Sequence, residues 1–168
     1  VVPSMISRFT LDDRVDAIEI ISDLDFSSVS KFSEKCIFQQ KDIGIDLDKN
    51  EVTKTLLNVI NYKTENVIQV NPLFPFISIE SLVSADNFLQ SEQYNTVIGS
   101  YIDSCFNKSN NFSDNDIGIF TAFKISCFNH TCNRISAPLK LICLKAIEMV
   151  SLRTSKDYKL FELIINFY

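Results

Sequence analysis

Cys127, His130 and Cys132 fall in the run Cys-Phe-Asn-His-Thr-Cys, and Cys143 follows further along the chain. Thiolate sulfur and imidazole are the ligands that zinc or haem iron takes, so this is the one constellation with metal chemistry in reach. A structural zinc site needs a ligand pair on a tight turn that meets a second pair. Two short gaps followed by a lone cysteine do not supply one, so these residues are read as core and connection. A calcium loop is approached at Asp46, Asp48 and Asn50. Glu51 stands where the loop needs its turn glycine, however, and Leu57 where it needs a bidentate acid. Gly44, Gly99 and Gly118 are isolated from one another, which leaves no glycine-rich phosphate loop. His130 is the single histidine and no serine or cysteine is spaced for it to activate. The expectation is therefore no catalysis, no metal and no confident cofactor.

The elements that would carry such residues follow from composition. The chain has 168 residues, 46% hydrophobic and 22% charged, with Lys+Arg 16 against Asp+Glu 21 and a formal charge of -5. That describes a folded, mildly acidic domain with enough chain for one core. The net charge and the scatter of basic residues give no attraction to a phosphate backbone, so direct nucleic-acid binding by this segment is not expected. No apolar run is long enough for a membrane span, and no membrane role is expected. Five cysteines in apolar surroundings point to buried thiols in a reducing compartment. Three N-glycosylation triplets, at Asn107, Asn111 and Asn129, would matter only on a secreted surface.

Fourteen Phe and five Tyr, with only three Gly and four Pro, favour helices over many tight turns. Thr10 and Asp13 suit a helix start leading into Val15, Ile18 and Ile21. Weaker helical patterns run over 29–40 and 50–61. Tyr94, Val97, Ile98, Tyr101 and Cys105 repeat at helical spacing over 92–106. Ser113 and Asp116 form a candidate capping box, with Phe112 and Ile117 as its staple, ahead of a buried helix carrying Ile119, Phe120 and Phe123. Pro138 and Ser155 introduce two more helices. Asn66–Val70 and the stretch to Ile79, broken by Pro72 and Pro75, read as one small hairpin. It would present Phe74, Phe76 and Ile79 inward, as a pocket wall or as plain core.

Pro3-Ser4-Met5 with Phe9-Thr10-Leu11-Asp12-Asp13-Arg14-Val15 resembles the central signature of nuclear receptor ligand-binding domains. Tyr101-Ile102-Asp103 through Phe112–Phe123 looks like the long helix, turn and buried helix of the haem- or lipid-responsive subgroup. Asn133-Arg134-Ile135 then leads toward Leu139–Ile142 and Phe161, as in that family's last helices. The resemblance implies a mostly α fold, an antiparallel three-layer helical sandwich with one short β-hairpin, over residues 1–168 as a single domain incomplete at both ends. It implies a transcription regulator of nucleus or cytoplasm that binds a small apolar ligand and forms homo- or heterodimers. Coregulator helices would dock on Arg14, Val15, Ile18 and Glu19. The alternative is a viral or host helical-bundle protein, similar to the poxviral family with an apoptosis-regulator fold, which would sequester a signalling partner in a surface groove.

Overall fold

A computed structural model describes residues 2–15, 17–22, 34–40, 53–54, 57, 65–100 and 118–165. The chain opens with helix α1, Val2–Thr10, and then strand β1, Ile18–Ser22. Strand β2, Cys36–Gln40, pairs with β1 in parallel, Ile18 facing Cys36 and Ser22 facing Gln40. A second sheet holds β3 (Asn66–Val70), β4 (Thr96–Ser100), β5 (Phe120–Lys124) and β6 (Leu139–Cys143). Its order is β3-β5-β4-β6. Strand β5 is antiparallel to both β3 and β4, while β4 and β6 are parallel. Strands β3, β4 and β6 therefore run one way, and their carboxyl ends share one edge of the sheet.

The inner strands β4 and β5 are buried on both faces for their first four residues. Such strands carry continuous apolar runs because helices or loops cover each side. Helix α2, Ile79–Gln90, crosses this sheet with Ala85 and Leu89 fully buried. Met5 and Phe9 of α1 and Ile77, ahead of α2, complete the same core around Val97, Phe120 and Ala122. Ser78 caps α2 by accepting the Ser81 N–H, which satisfies one of the donors a helix start leaves open. Asn66 Nδ2 donates to Asp86 Oδ1 at 2.9 Å and ties the start of β3 to the middle of the helix.

Helix α3, Ile125–Thr131, ends on Cys132 with φ 53°, in the left-handed region, where the Cys132 N–H donates to the Phe128 carbonyl. Glycine takes that conformation without the Cβ penalty. Cys132→Gly removes a left-handed Cβ penalty of roughly 1–2 kcal/mol and adds an opposing cost of about 0.5–1 kcal/mol from glycine's unfolded-state entropy, so a net gain of about 0.5–1 kcal/mol is expected, read as a higher urea midpoint at constant slope. A 3-10 turn, Ala146–Met149, precedes helix α4, Ser155–Ile165. Asp157 Oδ2 accepts the N–H groups of Arg153 and Thr154 at the start of α4.

The expected helical sandwich with a hairpin is thus replaced by a mixed α/β fold. The helix expected from Thr10 through Ile18 and Ile21 is absent: α1 ends at Thr10, a turn follows and Ile18–Ser22 is β1, while the 29–40 pattern ends in β2. The long helix expected over 92–106 contains β4, and Phe120 and Phe123 are buried on β5 instead of on a helix. The helix expected after Pro138 is β6 and the 3-10 turn. Asn66–Val70 is a strand as expected, but its partner is β5, so no hairpin forms with 71–79. The helix introduced by Ser155 is present as α4. The Ser113 cap, the calcium-like run at 46–50 and Cys105 lie outside the described residues. Among the described residues no helix is long and apolar enough to cross a membrane.

Candidate functional site

In open α/β sheets ligands enter the crevice beyond the carboxyl ends of the parallel strands. Here that edge is formed by Asn71 after β3, Ser100 at the end of β4, and Leu144 and Lys145 after β6, with Gly118 and Ile119 leading into β5. Backbone bonds knit it together. The Asn71 N–H donates to the Ile119 carbonyl at 3.0 Å, the Ile119 N–H to Gly99 at 2.7 Å, and the Leu144 N–H to Ser100 at 3.4 Å. The Asn71 side chain accepts the Leu73 N–H at 3.0 Å, which turns the chain sharply off the end of β3.

Two rim segments leave this edge, 71–78 after β3 and 144–152 after β6, and they meet. The Leu152 N–H donates to the Leu73 carbonyl at 2.8 Å, and the Phe76 and Phe161 rings lie 5.4 Å apart. Arg8 of α1 clamps the first segment through one guanidinium nitrogen, 2.7 Å from the Pro75 carbonyl and 2.9 Å from that of Ile77.

Glu148 makes the densest junction. It is 1% exposed. Its Oε1 accepts the Ser78 N–H at 2.8 Å, the Ser78 hydroxyl at 2.6 Å and the Ser81 hydroxyl at 2.7 Å. Its Oε2 accepts the Lys145 N–H at 2.9 Å. Burial pushes the carboxyl upward, but the bonds from Ser78, Lys145 and Ser81 together outweigh it and leave the group below its ordinary value. A pocket of about 200 Å³ lies between α1 and the start of α2, lined by Arg8, Phe9, Ile77, Ser78, Ile79 and Glu80.

Phe74, Phe76 and Ile79 all sit on or just after the first rim segment and all are half-buried. Phe74 and Ile79 pack against the main core, and Phe76 packs against Phe161 with the rings tilted by 47°. Of the three only Ile79 lines the pocket. The residues expected to receive a coregulator helix are not on one helix. Arg14 is exposed in a turn, 2.6 Å from Asp12 and 3.4 Å from Glu80, and Val15 follows it. Side-chain and backbone hydrogen bonds from Arg14 hold Asp12 at about 2. Ile18 and Glu19 are neighbours on β1, where successive side chains point to opposite faces.

Cys127 is half-buried on α3 and Cys132 is exposed, but Cys143, expected to face the core from a neighbouring helix, is exposed at the end of β6. Cys36 is buried, and burial pushes its thiol up. Among the described residues no three His, Cys, Asp or Glu side chains converge to hold a metal ion. Glu148, Ser78 and Ser81 were not legible as a group beforehand. The available signal was one acid within the apolar run Leu144–Val150 and two serines at cap spacing ahead of Leu82.

No family model and no curated protein sequence matches this chain. Among solved structures, the chain is similar to a 4-diphosphocytidyl-2C-methyl-D-erythritol synthase from Anaerococcus prevotii. The superposition has a TM-score of 0.63 and covers 96% of this chain and 86% of that one, at 14% identity. The two chains share a fold. That likeness overturns the nuclear receptor resemblance and with it the apolar-ligand transcription regulator that binds coregulator helices. The helical-bundle alternative falls with the all-helical fold. The expectation of no catalysis, drawn from the lack of a recognisable catalytic motif, is corrected as well by a fold shared with a synthase.

Proposed function

We propose that this chain is the α/β body of an enzyme that binds a nucleotide at the carboxyl edge of β3, β4 and β6 and transfers it to a phosphorylated small molecule. The observation that carries this reading is the fold likeness along nearly the whole chain to a synthase whose product is a diphosphocytidyl compound. Such a linkage forms when a phosphate oxygen of the acceptor bonds to the α-phosphorus of cytidine triphosphate. The bond from that phosphorus to the β-phosphate oxygen breaks, and pyrophosphate leaves. Parallel strands ending on one edge supply the crevice. Lys145, exposed two residues past the end of β6, supplies a positive charge beside it for phosphate oxygens.

Thermal unfolding with the magnesium salts of the four ribonucleoside triphosphates tests the reading. Cytidine triphosphate is expected to raise the midpoint most. At a hundredfold excess over its dissociation constant the added stability is about 2.7 kcal/mol. Lys145→Ala is expected to weaken that shift. An unchanged midpoint with all four nucleotides at millimolar concentration sinks the proposal.

A further inference from the structure

Strands β3 and β6 are the outer strands of their sheet, with β5 and β4 between them. No hydrogen-bond ladder links one to the other. The segments that leave their carboxyl ends would be independent were it not for contacts outside the sheet, and Glu148 supplies the most concentrated of these. Three donors from Ser78 and Ser81, on the β3 side, converge on one oxygen, while the Lys145 N–H, the second residue past β6, occupies the other. A buried carboxylate costs several kcal/mol to desolvate, and an apolar side chain of similar volume often fills such a place with equal or better stability. What an apolar residue cannot do is fix the directions of four donors on two separate segments. The carboxylate itself is 1% exposed and saturated by protein donors, so it reaches no ligand.

We infer that Glu148 is a positioning residue that sets the separation of the two rim segments, so that nucleotide affinity depends on a group that never contacts the nucleotide. This rests on the nucleotide-binding reading above. Glu148→Gln isolates the effect. With its carbonyl at the Oε1 position the amide keeps the three serine donors that join the segments, but its NH2 then faces the Lys145 N–H, donor against donor, so the side chain loses the bond by which its own segment aims it at Ser78 and Ser81.

The experiment measures affinity for cytidine triphosphate by titration calorimetry well below the unfolding temperature of each protein, on the full chain. Glu148→Gln is expected to bind roughly tenfold more weakly than the unaltered chain, because a displaced rim loses well-oriented contacts. Leu89→Val serves as the comparison, since it loosens the core at the far end of α2 from the cap. It is expected to lower the unfolding temperature and leave affinity within about twofold. Equal affinity of Glu148→Gln and the unaltered chain overturns the inference alone, as does a Leu89→Val loss matching that of Glu148→Gln. Absence of binding by the unaltered chain overturns the nucleotide reading and removes the positioning role with it. Should Glu148→Gln not fold, Ser78→Ala reads the same coupling through the loss of one hydroxyl. About threefold weaker binding supports the role and unchanged affinity defeats it.

Discussion

Gly118→Ala is expected to destabilise the protein by about 3 kcal/mol, at the upper end of what overpacking a filled interior costs. A Cβ at this position would lie 2.3 Å from Ile98 Cγ2, 2.6 Å from the Gly99 carbonyl oxygen and 2.8 Å from the Phe120 carbonyl oxygen. Two of those three atoms are backbone, so no rotamer change relieves the contact, and β4 and β5 must separate where their carboxyl-edge hydrogen bonds begin. Gly99 differs in kind. Its added Cβ would strike the Phe120 ring at 2.1 Å, and Gly99 and Phe120 are direct partners across the ladder. The ring occupies the space that a side chain on Gly99 would take.

A double-mutant cycle separates the two cases. Phe120→Ala alone is expected to cost roughly 3–5 kcal/mol through the cavity it leaves. Gly99→Ala in that background is expected to be nearly neutral, because the new methyl group enters emptied space. The same background gives Gly118→Ala no relief, since its obstacles are main chain. Urea unfolding of the six proteins reads these energies. A Gly118→Ala midpoint within experimental error of the unaltered chain would refute the close approach of β4 and β5.

Those glycines show why the sequence was legible in part. Their isolation ruled out a glycine-rich phosphate loop, but spacing along the chain says nothing about which strand will press on a glycine from the side. Burial was readable at Phe120 and Phe123, both 1% exposed, because so apolar a run has no solvated face. The element was not. A five-residue strand buried on both faces places apolar residues at every spacing, including three and four, and so satisfies a helical template as well as its own. Val97 and Ile98 on β4 misled in the same way, while Leu139 and Ile142 misled because they stand three apart on the half-buried outer strand β6. Few glycines and prolines then removed the punctuation that would have divided these runs into strands. Helix α4 was readable because Ser155 precedes Leu160, Phe161, Ile164 and Ile165 at helical spacing, although only Phe161 of these is buried. The site was less legible than the fold. Its rim joins residues about seventy positions apart, and a solitary glutamate in an apolar run gives no sign of which hydroxyls will surround it.

Glu148→Ala is expected to cost roughly 3 kcal/mol near neutral pH, because truncation strands donors that the carboxylate satisfied and leaves a cavity beneath α2. The loss has a pH signature that a packing defect lacks. Folding holds the Glu148 carboxyl below its ordinary value of 4.5, so the native state favours the ionised form. The unfolded chain therefore binds the extra proton first as pH falls. The stabilisation is complete above 4.5 and disappears as pH drops through the lower folded value. The stability gap between the unaltered chain and Glu148→Ala should narrow steadily on acidification, whereas the Phe120→Ala gap, which involves no titrating group, should not follow it. Urea unfolding of all three proteins across that range measures both gaps. A Glu148→Ala gap independent of pH would mean that the carboxyl is not ionised against Ser78, Ser81 and Lys145, and the junction between the two rim segments would then lack the charge that orients its four donors.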